Sequence, residues 1–170
     1  MEMNEFQKRL TDEACLLRGK IIAGYSLVEY VLADISVRLD LKFPYRIKDR
    51  IKAVKQIVHR PEYQAYRNDF HRVCDELLRY DDLRNFLAHG IMVLETSPDQ
   101  TTHRFVMQRY KHLKTGKFRR LTLEFSVEDF RRVADEMVKY TNDAHAVFHK
   151  FYIEQAVETF VHPDTPPELL

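Results

Sequence analysis

A permanent cation, an amide and an imidazole stand close together in the stretch Arg84-Asn85-Phe86-Leu87-Ala88-His89-Gly90. Between them, these groups can neutralise an anion, orient it by hydrogen bonds and move a proton. The apolar residues Phe70, Val73, Leu77, Tyr80 and Leu87 recur at helical spacing, and Arg84 falls in line with them, which predicts a helix whose buried stripe includes Arg84. A guanidinium in such a seam is costly to desolvate unless an anion, a partner chain or a water-filled cleft receives it. Asn85 and His89 are four apart and share one edge of the helix, so all three side chains are expected to converge. Gly90 is expected to end the helix in a left-handed conformation, leaving His89 in the final turn. Free carbonyls there favour a protonated ring and Arg84 opposes it, a balance that suits proton transfer. The plainer reading is a helix-terminating histidine beside an arginine whose stem lies along apolar surface and whose head reaches water.

This pattern resembles the signature of the HEPN superfamily: Arg, a polar residue commonly Asn, several mainly apolar residues, then His at the end of the third helix of a bundle. Gly24-Tyr25-Ser26-Leu27-Val28-Glu29-Tyr30 is similar to the Ser-x-x-Glu stretch in the first helix of many members. The resemblance spans roughly residues 20 to 150. It implies a metal-independent endoribonuclease, in which the RNA 2′-hydroxyl attacks the adjacent phosphate to leave a cyclic phosphate and a 5′-hydroxyl. Arg84 would then clamp phosphoryl oxygens, His89 would exchange the proton, and Asn85 would orient ring or phosphate. Ser26 and Glu29 would orient Arg84, or else form a plain helix surface or polar pair. A homodimer is implied, joining two Arg and His sets into one site, as is a toxin or defence role with an antitoxin or nucleotidyltransferase as partner. No cofactor or metal is implied. The other function the resemblance allows is a noncatalytic HEPN-like dimerisation module that binds a protein partner, RNA or a nucleotide.

The elements that must position these residues follow from periodicity. Asn4 to Leu41 reads as one long helix, with Gly19 or Gly24 marking a kink, a break or a close helix crossing. Phe43-Pro44 ends it. Ile47, Ile51, Val54 and Val58 form the core face of a short second helix, and Pro61 opens the third, which runs to His89. Ile91 to Leu94, Arg104 to Tyr110 and Phe118 to Phe125 read as strands, with a turn at Lys114 to Lys117 and a loop at Ser97-Pro98-Asp99. Ser126 caps a last long helix whose seam is Phe130, Val133, Met137, Tyr140, Ala144, Val147 and Phe151. The expected fold is mainly α: a four-to-five-helix HEPN-like bundle with a small antiparallel β insertion, about 91–125, between the third and fourth long helices. Residues 1–162 are expected to form one domain and 163–170 a flexible tail.

Basic residues cluster in the insertion. Arg104, Arg109, Lys111, Lys114, Lys117, Arg119 and Arg120 occur without an acid among them, with Phe105, Tyr110 and Phe118 interleaved, and are candidates for RNA binding. A second run, Lys42, Arg46, Lys48, Arg50, Lys52, Lys55 and Arg60, has only Asp49 against it. Either run serves equally as a solvated face. Over the whole chain 27 Lys and Arg meet 26 Asp and Glu, a net charge of +1 that argues against a general nucleic-acid coat. At 170 residues the chain can bury about 70% of its unfolded surface and needs no disulfide or metal staple. Cys15 and Cys74 are read as ordinary buried thiols, and with no signal peptide or membrane-length apolar run the expected compartment is the cytoplasm. His145 and His149 lack a third metal ligand, and His71 with Cys74 cannot build a structural zinc set. No phosphate-cradling glycine loop or nucleophile elbow is present.

Overall fold

The computed structural model describes residues 3–39, 41, 44, 46–99, 101–113 and 115–157. Among the described residues the chain is mainly helical, with four helices and a three-stranded antiparallel sheet inserted between the third and fourth. In order these are α1 (Glu5–Arg38), α2 (Ile47–Ile57), a 3-10 turn (Pro61–Tyr66), α3 (Arg67–His89), β1 (Ile91–Thr96), β2 (His103–His112), β3 (Phe118–Ser126) and α4 (Val127–Glu154). The expected tail, with Lys42, Phe43 and Lys114, lies outside the described residues.

α1 begins in a capping box: Gln7 N donates to Asn4 Oδ1 at 2.9 Å and Asn4 N to Gln7 Oε1 at 3.1 Å, which satisfies two otherwise free helix-end amides. It then runs 34 residues without interruption. Of the three roles open to its glycines, Gly24 takes the close crossing, because a Cβ there would lie 2.7 Å from Thr141 Oγ1 and 2.8 Å from Met137 Cγ of α4. Cys15 departs from expectation and is exposed, one step round the helix from the buried seam of Leu10, Ala14, Leu17 and Ile21.

Pro61 does not open α3 directly. It opens the 3-10 turn, whose period of about three residues carries Tyr63 and Tyr66 to the same side, where both rings meet Phe151 edge-on at 5.3 and 5.0 Å. Phe70 and Phe148 extend this aromatic end of the core. Along α4 the seam is buried at Phe130, Met137, Tyr140, Ala144 and Phe151 and only partly at Val133 and Val147, with Ala134 and Phe148 taking the deeper positions. Ser126 caps this helix, its hydroxyl accepting from Asp129 N at 3.0 Å.

Gly90 ends α3, but in an extended conformation (φ −90°, ψ 153°) and not the left-handed one expected. Close approach explains the glycine. A Cβ would fall 2.5 Å from Phe86 O and 3.2 Å from Gln108 O, so the chain passes from helix into β1 through a gap with no room for a side chain. The strands pair in the order β1-β2-β3, and Phe105, Met107, Leu94, Leu123 and Phe125 face the helices. The reverse face carries exposed Ile91, Val93, Tyr110 and Phe118. Among the described residues no helix is long and apolar enough to cross a membrane.

Candidate functional site

The stripe expected on α3 forms as written: Phe70, Val73, Leu77 and Leu87 are buried, Tyr80 is partly buried, and Arg84 emerges where the stripe meets a cleft. The cleft holds about 510 Å³ and is walled by Tyr25 and Glu29 of α1, Arg46 to Arg50 at the start of α2, and Asp81, Arg84 and Asn85 of α3. That volume falls in the range of small-molecule sites. Four cations (Arg46, Lys48, Arg50, Arg84) and three carboxylates (Glu29, Asp49, Asp81) line it among the described residues.

Glu29 is the anion that meets Arg84. Its Oε2 lies 3.5 Å from Arg84 Nη2, while its Oε1 accepts from Arg50 Nη1 at 3.0 Å, so one carboxylate serves two guanidinium groups and binds Arg50 more closely. Arg84 also approaches Asn85 Oδ1 at 3.4 Å, and its Cζ lies 5.3 Å from the Tyr25 ring. Both polar contacts are long, and the arginine side chain keeps 28% of its surface in water. The cation is therefore held in place but not saturated, and donor capacity remains for an incoming anion.

Asn85 is fixed from behind. Its Nδ2 donates to Asp81 O at 2.8 Å and to Asp81 Oδ1 at 3.3 Å, which turns its amide oxygen toward Arg84. Tyr25 donates its hydroxyl to the same Asp81 Oδ1 at 3.2 Å. Burial, then the charges of Asp81 and Glu29, hold the Tyr25 phenol well above its ordinary range, so it remains a donor. Tyr25 and Asp81 were not among the residues expected from the sequence. Their signal was present, since each lies one helical turn before a named residue, Glu29 and Asn85, on the same face.

His89 does not join them. It is exposed in the last turn of α3, is absent from the cleft wall, and has no side-chain hydrogen bond, ion pair or ring contact among the described residues. Helical geometry explains the divergence, because five residues advance the helix by about 140° from Arg84 whereas four advance it only about 40° from Asn85. Ser26 is likewise exposed and takes no part in holding Arg84.

The basic hairpin divides into two sets. Arg104 donates from Nε and Nη2 to Glu95 Oε2 at 3.0 and 2.8 Å and from Nη1 to Glu124 Oε2 at 2.9 Å, stapling all three strands. Arg109 lies 4.7 Å over the Phe86 ring and 3.8 Å from Asp82, seating the sheet against α3. Both cations are already engaged, and Phe105 is buried in the core instead of interleaving with exposed charge. Lys111, Lys117, Arg119 and Arg120 are exposed and have no acidic partner among the described residues.

His145 and His149 stack at 5.8 Å on α4, and no group of three or more potential metal ligands occurs among the described residues. Cys74 is buried, and burial pushes its thiol up to about 12. No family model, curated protein or solved structure matches the chain.

Proposed function

We infer that the chain is a HEPN-type endoribonuclease that works as a homodimer and cleaves RNA without a metal. The observation that carries this reading is an incompletely saturated guanidinium at a cleft wall, beside an oriented amide, with an uncommitted imidazole at the open end of the same helix. Arg84 would bind phosphoryl oxygens and stabilise the crowded anion, Asn85 would accept or donate to fix its orientation, and His89 would move the proton. Within one copy the imidazole is not part of the Arg84 cleft. The reading therefore needs a second copy, whose His89 completes the site, and in that arrangement one imidazole serves as base and the other as acid. The HEPN-like bundle, the toxin or defence role and an antitoxin or nucleotidyltransferase partner belong to the same proposal.

The test is incubation of purified protein with total RNA and a chelator, beside Arg84→Ala and His89→Ala. Wild-type cleavage to cyclic-phosphate ends, lost in both variants, supports the reading; equal RNA decay in all three overturns it. Sedimentation showing only monomer at micromolar concentration removes the dimer.

A specific observation favours a second reading, a noncatalytic module that binds an anionic ligand such as a nucleotide. The cleft gathers Arg46, Lys48, Arg50 and Arg84 without His89. On that reading Arg84→Ala abolishes ligand binding and His89→Ala leaves it intact.

A further inference from the structure

The tip of the β2–β3 hairpin combines large exposed aromatic rings with cations that have no acid to pair with among the described residues. Tyr110 is 72% and Phe118 69% exposed. The antiparallel register sets Tyr110 opposite Arg120 and His112 opposite Phe118, and alternation puts these four side chains on the sheet face turned away from the helices. The His112 and Phe118 rings meet edge to face, with centroids 5.1 Å apart. On the other side of the same tip Lys111 and Arg119 are directly paired, two like charges opposed across one ladder, and Lys117 flanks them. Like charges directly opposite destabilise a sheet, so this pairing has no structural benefit of its own.

Among the described residues, the rest of the outer face offers no free carboxylate to Arg120 or Lys117. Its two acids, Glu95 and Glu124, are both taken by Arg104 at the far end of the sheet. Nearer the tip the face consists of Gln108, Thr122 and Ile91 in one row across the strands. Exposed Ile91 and Val93 continue the apolar surface of this face, but at the tip itself the rings stand among cations. A polyanion that also carries flat π-faces matches both features.

We propose that the outer face of the hairpin tip is a stacking platform for single-stranded RNA, with Tyr110, Phe118 and His112 receiving bases, and Arg120 on the same face and Lys117 at its rim tracking the phosphates. Stacking is tolerant of sequence because every base has a π-face, so the platform holds unpaired RNA of many sequences and excludes duplex, whose bases are already stacked. The platform leads to α3. Gln108 pairs with Ile91, which follows Gly90 and His89, and Tyr110 lies about 7 Å further along β2. A strand laid on the tip therefore runs toward the exposed imidazole. The choice of RNA over other single strands rests on the proposed function; the argument from rings and charge does not.

The test measures fluorescence anisotropy of a labelled oligouridylate 12-mer, the same length of duplex RNA, and polyglutamate with the full chain. The variants are Tyr110→Ala/Phe118→Ala, Lys117→Gln/Arg120→Gln and His89→Ala, with thermal melts confirming that each folds. Loss of both rings is expected to weaken single-strand binding at least about 10-fold while leaving its salt dependence unchanged. Loss of the two cations is expected to weaken binding and flatten the slope of log K against log salt by about 1.4. Unchanged affinity without the rings, or duplex bound as tightly as single strand, overturns the platform. Polyglutamate bound as tightly as RNA also overturns it and makes the surface a protein-docking site. Failure of the two readings is separable: RNA bound at the tip with no cleavage by any protein refutes the ribonuclease and keeps the platform. Cleavage with normal binding by the tip variants does the reverse.

Discussion

The hold of Glu29 on Arg84 can be measured by a double-mutant cycle of Glu29→Gln and Arg84→Gln. The pair lies at 3.5 Å with 28% of the arginine and 22% of the glutamate side chain exposed. Unit charges about 4 Å apart interact by about 1 kcal/mol in water and about 4 kcal/mol at an effective dielectric of about 20. Partial exposure screens the pair toward the lower figure, as it does for most ion pairs that water can reach, leaving a coupling of about 1–2 kcal/mol. Glu29→Gln alone should cost more than this, because the same carboxylate also binds Arg50 at 3.0 Å. Urea unfolding of the wild type, both single variants and the double variant gives the coupling directly. For a chain of this size each kcal/mol also lowers Tm by about 2–4 °C. Single-variant costs that add to within about 0.3 kcal/mol would refute the idea that Glu29 positions the guanidinium.

Gly90→Ala should destabilise by about 1–3 kcal/mol, because the new methyl meets backbone oxygen of Phe86 that cannot swing aside; an unchanged urea midpoint would contradict the tight junction. His71 is held below its ordinary value of 6.5 by burial, with Lys55, Arg67 and His59 adding and Asp75 opposing, and its Nε2 is buried with no hydrogen-bond partner among the described residues. The unfolded chain therefore takes up this proton first as pH falls, so stability is full above 6.5 and declines below it, and His71→Gln should flatten that decline in urea titrations at pH 7.5 and 5.5. A thiol reagent should modify exposed Cys15 promptly and Cys74 only on unfolding, as counted by mass before and after denaturant. Arg104→Ala should leave Glu95 and Glu124 unneutralised across β2, lowering Tm by a few degrees at low salt and less at high salt.

Much of α3 was legible because a single period governs it: the spacing from Phe70 to Leu87 places Arg84 on the buried stripe, and a cleft receives it there. The divergence of His89 is implicit in the same period, because the edge that Asn85 and His89 share is turned about 140° from Arg84 at position 89. What meets the guanidinium was less accessible. Glu29 lies on another helix, and its two-way contact with Arg50 and Arg84 depends on how α1, α2 and α3 pack, which no local pattern encodes. Gly90 shows a different limit, since a glycine after a helix suits a left-handed cap or a crowded crossing equally, and the nearness of Gln108 decides between them. The basic hairpin was visible as composition, but only strand register separates Arg104, caught between two glutamates, from Arg119, which faces another cation. The uninterrupted α1 likewise reflects tertiary burial overriding the weak helix preference of its glycines.

The one-residue joint at Gly90 leaves no slack between helix and strand. Its amide is tied to Phe86 O at 2.8 Å, and Ile91 enters the ladder at once. Whatever tugs on the hairpin consequently pulls on the last coil of α3, so that sheet and histidine travel as a single lever.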